Sequence, residues 1–184
     1  MDLSYLTPDR CSLLVVDIQE RLIRVIVERE KVVRNTLLLL KTSHLLNIPV
    51  VASTQYAARI GDFPPEIKAE LQHPPIDKME FGCFNNLQYM EVINNLSKKI
   101  DTLIICGVET HICIYQTVLG ALMTGYRVMV PDDAVSSRTK DNHNSGLARL
   151  RDIGGQVVNS EMLVYELLQK AGTPQFKELL PLMK

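Results

Sequence analysis

The sequence predicts an α/β fold in three layers, doubly wound, with a mostly parallel sheet covered by helices on both faces. Three observations carry that prediction. Short apolar runs of strand length alternate with longer stretches of helical periodicity along the 184 residues, the pattern of successive βα units. The runs are continuously apolar, as strands buried on both faces require. Several end directly on polar or reactive residues, at the strand edge where open sheets of this kind carry their ligand crevice. With 46% hydrophobic and 22% charged residues, the chain suits one substantial core, and residues 1–184 are read as a single domain.

The first strand is Ser12 to Val16, running into Asp17-Ile18-Gln19. Asp17 at that carboxyl end either caps the next turn or faces the crevice. Val32 to Leu46 is a helix with Val33, Leu37, Leu40 and His44 on one stripe, stopped before Asn47-Ile48-Pro49. His44 is read there as a packed helix residue and not a ligand. Pro49 to Thr54 is the second strand, and Gln55 and Tyr56 at its exit point to the same crevice. Asp62-Phe63-Pro64-Pro65-Glu66 opens a short helix, with proline in the first turn and an acid complementing the dipole. Ile76 to Phe81 is a mixed segment carrying Lys78, ordinarily a solvated residue, and Leu87 to Leu96 is an amphipathic helix.

These elements are arranged around Asp101 to Thr117, DTLIICGVETHICIYQT. An apolar strand breaks at Gly107, passes through a brief polar turn and enters a helix whose first residue is read as Cys113. The first N–H groups of a helix have no partner inside it, so they stabilise anions and lower the pKa of a thiol placed there. Cys113 is therefore the candidate nucleophile. An isolated cysteine is more often a small buried hydrophobe, the reading given to Cys106 and Cys11, so Cys113 needs partners. Its helix ends at Gly125, and Tyr126 to Val130 is a strand closed by Pro131-Asp132-Asp133-Ala134. Thr139 to Ile153 is a helix, Gln156 to Val158 the last strand, and Ser160 caps a helix to Ala171. The tail 173–184 is read as a candidate oligomer contact.

Three separated segments, LLVVDIQ with Asp17, DKMEFGCF with Lys78 and GVETHICIYQT with Cys113, are supported by GYRVMVPDDAVSSR. With them the chain resembles the isochorismatase-like cysteine hydrolases, from about Cys11 to Leu168. The resemblance implies a six-stranded parallel sheet and a triad of Asp17, Lys78 and Cys113. In such a triad Lys78 favours the thiolate, while Asp17 takes the thiol proton and later activates water. The resemblance also implies an oxyanion hole from the backbone N–H groups of Glu109 and Cys113, with a cis peptide between Val108 and Glu109. Gln19, Tyr56, Phe81, Phe84 and Tyr115 are candidate pocket residues, the aromatics being equally readable as core.

Departures from the family narrow the chemistry. Nicotinamidases of this group bind a metal through an Asp and His cluster after the second strand. Here that region reads STQYAARIGDF, without histidine, and His73 alone cannot make such a site. Neither a metal nor another cofactor is expected. Isochorismatases proper lack a cysteine at the position of Cys113, so its presence argues for an amide, thioester or related carbonyl substrate; His111 is given no catalytic role. The expected function is a cysteine hydrolase of a small carbonyl compound. The alternatives are a non-catalytic binding or assembly protein of the same fold and an enol-ether hydrolase of isochorismatase type.

A formal net charge of -1 without a Lys/Arg cluster argues against nucleic acid as partner. The apolar runs are too short to span a bilayer, and a basic region with an apolar signal segment is missing. Four cysteines without CxxC or zinc-ligand spacing suit a reducing compartment, so a cytoplasmic location is expected. The family likeness and the apolar Leu179-Leu180-Pro181-Leu182-Met183 predict a homo-oligomer, a dimer or a multiple of one.

Overall fold

A computed structural model describes residues 4–183; residues 1–3 of the predicted domain and Lys184 of the predicted tail lie outside them. In chain order the elements begin β1 Cys11–Val16, α1 Glu20–Ile23, α2 Arg29–Leu46, β2 Val50–Gln55, α3 Ala57–Ile60 and α4 Pro65–Lys68. They continue β3 Ile76–Lys78, α5 Leu87–Asn94, β4 Thr102–Val108, α6 Tyr115–Met123 and β5 Arg127–Pro131. The last are β6 Val135–Ser136, α7 Lys140–Asp152, β7 Gln156–Val158, α8 Ser160–Leu168 and α9 Pro174–Leu179.

All strand pairs are parallel. The order is β3-β2-β1-β4-β5-β7, with β6 paired to β4, which makes a seven-stranded sheet where six strands were expected. The extra strand is β6: its two residues pair with Gly107 and Val108, beyond the part of β4 that β5 covers. Nothing so short within PDDAVSSR produces an apolar run to announce it.

Both faces of the sheet are buried, which is why the strands read as unbroken apolar runs. Along β1, Leu13 and Val15 join a core with Leu39 and Leu40 of α2 and Leu163 of α8. Leu14 and Val16 point the other way, into a core with Tyr89 of α5, Val118 of α6 and Leu150 of α7. Each such fully buried aliphatic side chain contributes ~1.5–3 kcal/mol through removal from water.

Three local expectations are corrected. The buried face of α2 is rotated from the predicted stripe, because it carries polar residues that pattern reading counts as outside. Asn35, Thr36, Thr42 and Ser43 are buried with Val32 and Leu40, while Val33 and Leu37 are only half-buried. Internal hydrogen bonds make this possible: Asn35 Nδ2 donates to the Asp133 carbonyl at 2.8 Å and Thr42 Oγ1 to that of Leu38 at 2.8 Å. His44 is half-buried and faces Glu70 at 3.4 Å.

The cap of α8 is Asn159, which accepts from Met162 N at 2.8 Å, and the helix stops at Leu168, short of Ala171. Ser160, the predicted cap, is instead fixed by Asp133 Oδ1, which accepts from its N at 2.8 Å and its Oγ at 2.7 Å. The C-terminal tail docks on its own chain. Thr173 caps α9, and Leu179 is buried against Leu38 and Val164. Leu182 stays exposed beside Val33 and Leu37, in a groove of about 620 Å³ between α2 and the Pro64-Pro65 turn. Among the described residues no helix is long and apolar enough to cross a membrane.

Candidate active site

The strand order reverses direction between β1 and β4, since the chain goes first to one side of β1 and then to the other. Crevices of open α/β sheets form at the carboxyl ends of such a pair. Gly107 sits beside Val16 there with φ +126°, and a Cβ on it would lie 1.9 Å from the Val16 carbonyl oxygen. Only glycine lets the two strand ends approach this closely.

Asp17 follows β1 directly and adopts a left-handed φ of 55°, which a short polar residue tolerates better than most. Its N–H donates to Ser53 O at 3.0 Å and its carbonyl accepts from Gln19 N at 2.8 Å, so the turn is pinned on both sides. Lys78 ends β3 in register with Gln55 of β2, and Ser53 lies two residues back on the same face of β2. These registers bring Asp17 and Lys78 together, their side chains fully buried, with Nζ 2.7 Å from Oδ2. The ammonium also donates to Gln55 Oε1 at 3.0 Å and, weakly, to the Phe81 carbonyl at 3.4 Å. Ser53 Oγ donates to the other carboxylate oxygen, Oδ1, at 2.8 Å. The Cys83 thiol stands behind it, donating to Ser53 Oγ at 3.5 Å.

Cys113 lies beside the same carboxylate, and each of the two groups perturbs the other. It is not the first residue of an α-helix: it lies within a π-helical turn, Thr110–Ile114, that precedes α6. Glu109 O accepts from both Ile112 N at 3.0 Å and Ile114 N at 3.2 Å, the wide spacing typical of such turns, which are frequent at functional sites. The Val108–Glu109 peptide is cis. One segment after β6 holds the turn from outside. Glu109 Oε2 accepts from Arg138 N at 2.9 Å and Nε at 3.1 Å, His111 Nδ1 pairs with Ser137 Oγ at 2.9 Å, and Thr110 Oγ1 pairs with His143 Nδ1 at 2.9 Å. His111 is thus a turn residue.

The electrostatics correct one expectation. Burial pushes the Cys113 thiol well above the ordinary thiol value, the Asp17 carboxylate adds to the rise, and Lys78 offsets only part of it. The helix-start argument for a lowered pKa fails because the thiol is 6% exposed and faces a carboxylate. Burial likewise raises Asp17 above the usual carboxylate range, against the pull of the Lys78 ammonium, of the hydrogen bond from Ser53 and of the neighbouring Cys113 thiol. For Lys78 burial works downward, but the Asp17 charge and the two neighbouring thiols outweigh it, so the ammonium is held above its ordinary value. The geometry is that of an ion pair with a thiol beside it.

The five pocket candidates separate. Phe81 and Tyr56 are exposed, and Tyr115 is half-buried with Arg149 5.8 Å over its ring. Phe84 belongs to the core: its ring is 6.3 Å from those of Tyr89 and Tyr126, and it packs against Gly120. Gln19 is fully buried and clamps the exit of β2. Its Oε1 accepts from Gln55 N at 2.7 Å, and its Nε2 donates to the carbonyls of Gln55 at 3.1 Å and Gly61 at 2.5 Å. Among the described residues no three His, Cys, Asp or Glu side chains converge as a metal site would need. Sequence reading missed Ser53 and Cys83 as members of the cluster; the i, i+2 spacing of Ser53 and Gln55 on one strand face was the available signal for the former.

A family model described as the isochorismatase domain matches residues 11–162. A secreted isochorismatase effector, Isc1, of Phytophthora sojae is 34% identical over 99% of this chain and 88% of its own length. Isochorismatase domain-containing protein 2 of Bos taurus is 34% identical over 96% of this chain and 84% of its own. Among solved structures, one described as the MAR1 ribonuclease of Caenorhabditis elegans superposes with a TM-score of 0.90 at 27% identity, covering 98% of this chain and 92% of that one. The YcaC product of Escherichia coli, described as an octameric hydrolase of unknown specificity, gives 0.91 at 23% identity over 99% of this chain and 92% of that one, a likeness of fold.

Proposed function

The chain belongs to the isochorismatase family, and from that premise we propose that it is a cysteine hydrolase acting on a small carbonyl compound, an amide or thioester, through an acyl-enzyme on Cys113. One observation carries the reading: a buried thiol beside a carboxylate that is itself paired with a buried ammonium. In acylation Cys113 Sγ attacks the carbonyl carbon as its proton passes to Asp17, and the carbonyl π pair moves onto oxygen. The N–H groups of Glu109 and Cys113 are the proposed donors to that oxyanion, each typically worth ~3 kcal/mol by deletion. Collapse expels the amine or thiol, which takes the proton back from Asp17. Asp17 then removes a proton from water as it attacks the thioester, and returns it to the departing Sγ.

The test is a panel of small amides, thioesters and aldehydes incubated with the protein and with Cys113→Ala. The expected result is a covalent adduct mapped to Cys113 and hydrolysis that Cys113→Ala abolishes. Turnover that survives Cys113→Ala would refute the reading. It would favour a second one, enol-ether hydrolysis with the raised-pKa Asp17 as proton donor.

A further inference from the structure

Gln55 is neither core nor solvated, and the proposed chemistry gives it no part. It stands at the end of β2, 8% exposed, in register with Lys78. All its hydrogen-bonding groups are engaged. Its side-chain Oε1 accepts from Lys78 Nζ at 3.0 Å and its Nε2 donates to Met79 O at 2.9 Å. The second bond sets the side-chain amide so that its oxygen, not its nitrogen, faces the ammonium. The backbone N–H and carbonyl of Gln55 are both bound by the single side-chain amide of Gln19, whose Nε2 also reaches Gly61 O. Lys78 Nζ has three N–H donors, and the three acceptors around it are Asp17 Oδ2, Gln55 Oε1 and Phe81 O.

We propose that Gln55, braced by Gln19, is a positioning residue that locks the Lys78 ammonium onto Asp17 and beside Cys113, so that Lys78 acts through its fixed charge and neither contacts substrate nor gives up a proton. A flexible four-carbon stem would otherwise let the ammonium leave the carboxylate, since lysine binds as a point charge without the fork that fixes an arginine. The arrangement resembles a metal site, in which outer partners orient the inner ligands. This inference rests on the cysteine-hydrolase reading above, but it can be tested without a substrate.

The measurement is the 15Nζ ammonium signal of Lys78 by NMR, on the full-length protein, beside the pH profile of iodoacetamide alkylation at Cys113. In the wild type the Lys78 signal should be that of an ammonium protected from exchange with water. Gln55→Leu, near in size but without an acceptor, should lose that protection. Its alkylation profile at Cys113 should move upward by roughly one pH unit, or about tenfold in rate at fixed pH, because a positive neighbour has been loosened. Gln55→Glu restores an acceptor at the same reach, so it should regain protection of the Lys78 signal while alkylation stays slow, owing to the added negative charge. Gln55→Asn, whose amide is one methylene shorter, serves as the second loss variant if Gln55→Leu does not fold.

An unchanged Lys78 signal and alkylation profile in a folded loss variant would overturn the proposal. So would failure of Gln55→Glu to regain protection, or misfolding of both loss variants while Gln55→Glu is folded but unprotected. A protected signal lost and regained as described, with Cys113 inert toward every substrate, would leave the positioning role standing and sink the hydrolase reading alone.

Discussion

The Asp17–Lys78 pair makes a prediction that needs no substrate. Both side chains are fully buried and 2.7 Å apart, so at an effective dielectric of ~20 their gross attraction is about 6 kcal/mol, most of it offset by the cost of dehydrating two ions. Removing one partner leaves the other's dehydration uncompensated, which typically costs ~3–5 kcal/mol, whereas removing both with residues of similar volume is often near neutral. Lys78→Met should therefore destabilise strongly, because the Asp17 carboxylate keeps only the side-chain hydrogen bond from Ser53. Asp17→Asn should cost less, since Lys78 retains Gln55 and Phe81 as acceptors. The double variant should be more stable than Lys78→Met by ~2 kcal/mol or more. Urea unfolding followed by circular dichroism, with the slopes checked for constancy, gives the four free energies of the cycle. If the two single costs add to the double cost within ~0.5 kcal/mol, the pair is not coupled as described and the buried ion pair is the wrong account.

Further outcomes follow from the same geometry. Because Asp17 raises the Cys113 pKa, wild-type alkylation by iodoacetamide should climb with pH without a plateau near neutrality, and Asp17→Asn should alkylate faster while hydrolytic turnover falls ~100-fold or more; parallel loss of both would refute the assigned roles. Cys11 and Cys106 are each pushed from 9.0 to about 12, chiefly by burial. The folded chain thus holds protons that the unfolded chain releases, and stability should fall as pH rises from about 9 to 12, by on the order of 4 kcal/mol per thiol at most. A flat stability curve over that window would contradict the burial of these thiols. Exhaustive chelation should leave turnover unchanged; loss with chelator and recovery with zinc or iron would show a metal site. Light scattering should return a mass above the monomer's at micromolar concentration, through the surface around Val33, Leu37 and exposed Leu182; a monomer mass refutes self-association.

How much of this was legible in the sequence depended on the kind of signal. Strands buried on both faces write themselves as apolar runs, so β1, β2, β4 and β5 were placed within a residue or two. Asp17 stood out because it breaks such a run at its carboxyl end, whereas Lys78, in a mixed segment, became a candidate only through the family resemblance. The two-residue β6 and the polar buried face of α2 left no periodic trace, since Thr36 and Ser43 are buried at positions a hydrophobicity pattern scores as exposed. The π-helical turn at Cys113 was likewise invisible, because THICI carries nothing that separates that turn from the first turn of an α-helix. The sign of the Cys113 pKa shift was misread because neither its burial nor the Asp17 carboxylate facing it shows in the local sequence.

That sign is compatible with a working nucleophile once charge is counted over the whole cluster. Counted as the ion pair its 2.7 Å separation describes, Asp17 carries one negative charge, Lys78 one positive and the Cys113 thiol none, so the buried site sums to zero. Releasing the thiol proton to water would leave a net negative charge in a region from which solvent is excluded, and this opposes ionisation. Passing the proton to Asp17 instead leaves a thiolate, an ammonium and a neutral carboxyl group, again with no net charge. On the proposed reading Lys78 therefore serves by keeping the sum constant during transfer, and the burial that raises Asp17 makes it a better acceptor at that moment. On that reading a buried thiol, inert toward water-borne acid–base exchange yet adjacent to its base, is protected between turnovers and reactive only when a carbonyl carbon arrives to take up the sulfur electron pair.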